Sequence, residues 1–101
     1  MTRPKIKIPK KELADFCQRY YINRLALFGS VVNDSFGPDS DIDVLVEFDP
    51  DHVPGFALIR MQDELSRLLE GRKVDLVTPK FLNRRIRSQI EAEAVVQYAK
   101  E

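Results

Sequence analysis

"LFGSVVNDSFGPDSDIDVLVEF", residues Leu27 to Phe48, sets a Gly-Ser pair before ten residues of mostly polar chain, then opens an apolar run with Asp41-Ile42-Asp43. The end of this stretch alternates like a strand. Ile42, Val44, Val46 and Phe48 share one face, and Asp41, Asp43, Leu45 and Glu47 share the other. Paired carboxylates at the mouth of a core strand repel each other and resist desolvation. Either they are solvated, as acids after a Gly-Pro turn ordinarily are, or something positively charged belongs between them.

Two apart on a strand, Asp41 and Asp43 leave the same face about 6–7 Å apart along the backbone, at about 3.3 Å per residue. That spacing lets both reach one divalent ion, or straddle two. A third acid, Asp75 in "KVDLVT", lies between Val74 and Leu76 in another apolar run. Aspartate is disfavoured in strands and cores, so it needs a reason there. It is either an ion-pair partner of Arg72 or Lys73, or, if its strand pairs beside Asp41–Phe48, a member of the same carboxylate group. Three carboxylates with no His or Cys nearby suit Mg²⁺ rather than zinc. Mg²⁺ held this way recruits phosphate oxygens, and Gly29-Ser30 offers them a contact. Glycine lets backbone come close, and a hydroxyl with amides at a helix start grips an anion. Taken alone, Gly-Ser is any strand-ending turn.

Working outward, Lys10 to Tyr21 predicts an amphipathic helix carrying Leu13, Phe16, Cys17 and Tyr20 on one side, with Pro9 at its first turn. Arg24 to Phe28 predicts a strand that stops at Gly29. A short helical turn follows Ser30, before the Gly-Pro loop of "FGPDS". "DPDHVPG" is a loop, and Phe56 to Leu69 is a second amphipathic helix with Gly71 as its stop. Lys73 to Val77 is a third strand. Thr78-Pro79 supplies a cap and first-turn proline for a helix from Lys80 to about Ala94, with Leu82, Ile86 and Ile90 on its core side. Val95 to Tyr98 reads as an edge strand. The expected fold class is α/β (α+β), order α-β-α-β-α-β-α: a small mixed sheet flanked by helices, in one domain over residues 1–101 with 1–8 as a loose basic arm.

Lys+Arg and Asp+Glu are both 16, so net charge gives no pull toward nucleic acid or membrane. The charge is nonetheless segregated. Asp34 to Asp51 holds seven acids and no Lys or Arg, whereas Arg72 to Arg87 holds six bases against Asp75 alone. The basic set Lys80, Arg84, Arg85 and Arg87 reads as a solvated helix face or as a surface for an acidic partner or nucleic acid. One cysteine excludes an internal disulfide and a Cys-rich zinc site, and Cys17 falls on the core stripe of the first helix. His52 is a solvated loop residue and Tyr98 a packing residue. Without a membrane-length apolar run or a signal-peptide core, a cytoplasmic protein is expected.

Gly-Ser, ten residues, Asp-x-Asp, and a later Asp in a strand resemble the DNA polymerase β-like nucleotidyltransferase superfamily. More closely, "LFGS…PDSDIDVLVEFDP…GRKVDLVTP" resembles its MNT (minimal nucleotidyltransferase) proteins, over about Leu25 to Tyr98. The resemblance implies that Gly29 and Ser30 hold the β- and γ-phosphates of ATP. It implies that Asp41 and Asp43 ligate two Mg²⁺ ions, and that Asp75 completes the catalytic metal site and helps deprotonate an acceptor hydroxyl. The implied reaction is transfer of AMP to that hydroxyl. For MNT proteins the acceptor is commonly a tyrosine of a HEPN RNase toxin, which makes them antitoxins within a hetero-oligomer. Two alternatives stand beside it: an antitoxin that neutralises by binding alone, and transfer to a small molecule or to RNA. Relatives that modify small molecules or RNA generally add a C-terminal substrate-binding domain, so an acceptor supplied in trans by a partner is expected here. Relatives also often follow Gly-Ser with a basic residue, a small one and Arg-Gly, whereas this chain has Val31-Val32-Asn33-Asp34.

Overall fold

The computed structural model describes residues 7–32, 37 and 40–100, with side chains throughout these except at Ser30 and Phe81. Most of the basic arm, Asn33-Asp34 and most of the Gly-Pro loop therefore lie outside the described residues. Four strands form one mixed sheet in the order β3-β2-β1-β4. They are β1 (Ile22–Phe28), β2 (Ile42–Phe48), β3 (Val74–Val77) and β4 (Val95–Ala99), accompanied by helices α1 (Lys10–Arg19), α2 (Ala57–Leu68) and α3 (Arg84–Glu93). β1 runs antiparallel to both β2 and β4, and β2 runs parallel to β3.

Strand alternation divides the sheet into two faces. On one, Leu25 and Leu27 of β1 sit opposite Val46 and Val44 of β2, and Val74 and Leu76 of β3 flank Ile42 and Val44. These residues are buried with Leu13, Phe16 and Cys17 of α1 and Met61 and Leu65 of α2. The spacing of three and four that made each helix amphipathic thus closes the core. The other face carries Arg24, Ala26 and Phe28 of β1 against Glu47, Leu45 and Asp43 of β2, with Asp75 and Val77 alongside on β3. Its centre is dry, since Ala26 and Leu45 are buried. Its rim is polar: the Arg24 guanidinium donates to Glu47 across the strands at 2.8 Å.

Element ends differ from the sequence reading by one or two residues at several places, as where β1 begins at Ile22 rather than Arg24, and three local departures have a visible cause. α1 ends at Arg19 rather than Tyr21, because Tyr21 turns left-handed (φ 58) and its carbonyl accepts from the Asp49 amide at 2.9 Å. Pro9 is the residue before the helix, and its carbonyl accepts the first helical bond from Leu13 at 2.9 Å. The expected helix over Lys80–Ala94 is two pieces: a 3-10 turn at Pro79–Phe81, an extended Leu82, then α3. Thr78 makes no side-chain cap, whereas the Asn83 side chain accepts from the Ile86 amide at 2.9 Å. An aspartate-like cap offered inside a helical pattern starts a new helix at its own position. The expected core side of this helix is corrected too. No residue of α3 is fully buried, and Ile86 is 43% exposed.

α1 and α2 are tied at their surface, where Glu64 accepts from the Arg19 guanidinium and from the Tyr20 hydroxyl. Those two donors hold the Glu64 carboxyl below its usual range. Burial pushes the Cys17 thiol up to about 12, so it is a packing residue rather than a nucleophile. Native protein at pH 8 is expected to leave Cys17 unmodified by a disulfide-exchange reagent and to react fully once unfolded. Rapid labelling of folded protein would contradict this placement.

Candidate active site

The parallel pairing of β2 with β3 sets Ile42 against Val74 and Asp43 against Asp75. Adjacent strands are about 4.8 Å apart, so the two carboxylates leave the same face as neighbours. Asp41 precedes β2 by one residue and is exposed on the approach to that face. Sequence alternation alone required Asp75 to share a face with Asp43 once β3 lay beside β2, and it does. Neither base suggested as its ion-pair partner holds it by a described ion pair. Lys73 instead sits 3.8 Å from Asp41, and Arg72 reaches the loop before β2.

Gly29 closes the other side. β1 ends at Phe28, which pairs with Asp43, and the chain then turns through Gly29–Val32. Gly29 has φ +74, a left-handed conformation that side chains other than glycine's resist. A Cβ added there would stand 2.4 Å from the Asp43 Oδ2, inside any allowed contact. The carboxylate therefore lies directly on the glycine, and the two positions are one steric unit. Ser30 follows in the same turn. Val31 and Val32, the next two residues of the turn, are buried in the core.

The electrostatics are those of crowded like charges. Burial, then Asp75, then Asp41 push the Asp43 carboxyl above its ordinary value. Among the described residues, no three His, Cys, Asp or Glu side chains already converge as a finished metal cage. What the face presents is an open edge of oxygen donors. That donor set fits a hard cation with coordination positions left for a ligand's oxygens, as Mg²⁺ requires. Asp41, Asp43 and Asp75 are the residues that would hold it.

Arg72 and Lys73 were noticed in the sequence as part of a basic stretch and as candidate partners for Asp75. The Arg72 guanidinium donates to the carbonyls of Gly37 and Ser40. Contacts from a side chain to distant backbone leave no spacing signal, and the only local cue was two bases just before a strand.

The family model for the nucleotidyltransferase domain matches residues 10–97. The chain belongs to the nucleotidyltransferase domain family. A provisionally named protein adenylyltransferase of Methanocaldococcus jannaschii is 36% identical over 88 residues, 85% of this chain and 84% of that one. The protein adenylyltransferase MntA of Thermococcus cleftensis is 34% identical over 87 residues, 85% of this chain and 82% of the relative. In fold, the nucleotidyltransferase resembles one chain in the solved structure of a tri-AMPylated Shewanella oneidensis HEPN toxin in complex with MNT antitoxin (TM-score 0.64, 18% identity, 90% of this chain and 70% of that chain). The nucleotidyltransferase is accordingly an enzyme by family, of the MNT type. Among its described residues, no helix is long and apolar enough to cross a membrane.

Proposed function

We propose that this nucleotidyltransferase transfers AMP from Mg-ATP to a hydroxyl on a partner protein, a tyrosine of a HEPN RNase toxin, and thereby acts as its antitoxin. The observation that carries the reading is the register of Asp43 with Asp75 over a glycine that leaves no room for a Cβ. Relatives of about one-third identity that carry the name protein adenylyltransferase support the acceptor class. The fold neighbour bound to an AMPylated HEPN toxin supports the partner.

In this reading Asp41, Asp43 and Asp75 hold Mg²⁺, which, when bound, offsets the charge that builds on the attacking and leaving oxygens. The protein's own groups do the rest. Gly29 brings backbone close enough to meet phosphate oxygens, and Ser30 stands next to it in the turn. Asp75 is exposed at the edge strand, where an incoming hydroxyl can leave its proton on it. The hydroxyl oxygen bonds to the α-phosphorus, the bond to pyrophosphate breaks, and pyrophosphate carries away the negative charge. The chain is expected to act in the cytoplasm, within a hetero-oligomer.

The lack of an arginine after Gly29-Ser30, where the chain reads Val31-Val32-Asn33-Asp34, favours a second reading, in which the chain silences its partner by binding without transfer. Intact mass of the partner encoded beside this chain, after incubation with it and Mg-ATP, separates the two. The expected result is a gain of whole AMP units that disappears with Asp43→Asn. An unmodified partner that is nevertheless bound and inactive would establish the binding-only antitoxin. A chain that binds no neighbouring product would overturn both.

A further inference from the structure

Arg72 lies between α2 and β3, half-buried, and its contacts run in two directions. Its carbonyl accepts from the Ser66 hydroxyl at 2.6 Å, and its amide donates to the Leu69 carbonyl at 3.2 Å, which fixes it to the end of α2. Its guanidinium reaches across to the chain entering β2, donating to the carbonyl of Gly37 and, at 3.4 Å, to that of Ser40. The same short segment is braced locally, with the Gly37 amide donating to the Ser40 hydroxyl at 3.0 Å and the Ser40 amide to the Gly37 carbonyl at 3.1 Å. One residue on, the Lys73 carbonyl accepts from the Ile42 amide at 2.8 Å, and the Lys73 ammonium sits 3.8 Å from Asp41.

Residues 72–73 therefore grip Gly37, Ser40, Asp41 and Ile42, and Asp75 follows them on β3. A guanidinium suits this place because its planar fork offers several fixed donors to separate carbonyls, which a single ammonium does not. We propose that Arg72 is a positioning residue that holds Asp41 and Asp43 in register with Asp75. It touches none of the three carboxylates by a described contact. It acts by fixing where the chain carrying two of them enters the sheet, beside the strand carrying the third. This inference rests on the reading of the carboxylates as the site of Mg-nucleotide binding.

The test uses the full chain with Arg72→Ala and Arg72→Lys. Calorimetry follows binding of Mg²⁺ with a non-hydrolysable ATP analogue, alongside thermal melts and amide hydrogen exchange. Removing a residue that orients metal ligands typically costs 10–100-fold in metal affinity. The expected result is an affinity lower by about tenfold or more in Arg72→Ala, with only partial recovery in Arg72→Lys. Amide exchange should quicken at Ser40 and Ile42 and stay unchanged in α1. Native affinity in both variants, whatever the melting temperature does, would make Arg72 merely structural and overturn the inference. Should Arg72→Ala not fold, Arg72→Lys decides, and native affinity there overturns it. If Asp43→Asn abolishes binding while the Arg72 variants keep it, the inference falls and the site reading stands. A native chain that binds no Mg-nucleotide overturns both.

Discussion

Asn in place of Asp43 is expected to lower AMP transfer by at least about a thousandfold, equivalent to about 4 kcal/mol of transition-state stabilisation. The same change should raise the melting temperature of the chain measured without divalent ions. Both effects follow from one position. Asp43 is the carboxylate flanked by Asp75 on one strand and Gly29 at the end of the other. Burial and the two nearby acids also push its carboxyl upward, so the fold favours its neutral form. For a group raised in this way, the stabilising contribution is present below the unfolded carboxylate range. It is lost as pH rises through the raised value. At neutral pH the charge therefore opposes folding, and a neutral side chain of the same shape removes that opposition. Melts at pH 7 and near pH 4, without divalent ions, check the sign. The advantage of Asp43→Asn should be on the order of a few °C at the higher pH and should shrink at the lower. A variant less stable than the native chain at pH 7 would refute the account of crowded charge.

Gly29→Ala is expected to destabilise the chain and disable the site together. An alanine at φ +74 carries the left-handed penalty of about 1–2 kcal/mol, which for a domain of this size lowers the melting temperature by about 5–10 °C. The larger consequence is local. The new methyl would stand 2.4 Å from Asp43 Oδ2, so the carboxylate has to move. Displacement of a reacting group by about 1 Å can cost a hundredfold in rate. A double-mutant cycle with Asp43→Ala separates the two contributions. With the carboxylate gone, Gly29→Ala should cost only the backbone penalty, and the stability effects should be clearly non-additive. Additive effects would show that glycine and carboxylate do not share this space.

β2 and β3 were legible in the sequence because their polar positions interrupt an apolar alternation. An acid inside such a run stands out, and strand geometry then dictates its face. The face of Asp75 thus followed from one pairing choice, β3 beside β2. α1 and α2 were legible because their apolar stripes are wide and end at residues that turn the chain. α3 was misread at its start because two capping signals, Thr78-Pro79 and Asn83, lie five residues apart. Which of them caps is settled by the fold: the first makes a 3-10 turn, and the second holds the Ile86 amide. Its apolar residues were assigned to the core from periodicity alone, yet none of α3 is fully buried and Ile86 is 43% exposed. The arginine before β3 carried no legible role because its partners are backbone carbonyls more than thirty residues earlier.

The parallel pairing of β2 with β3 also has a history in time. A parallel neighbour reaches its place only after a crossover, here all of α2, has been laid down. The antiparallel β1 and β2 can zip first, and the four-residue β3 joins β2 only afterwards, at an edge. Asp43 and Asp75 meet only at that moment, so like charge opposes the closing of this seam. A cation arriving with nucleotide would fasten that seam. The ligand would then act as a latch on an edge strand.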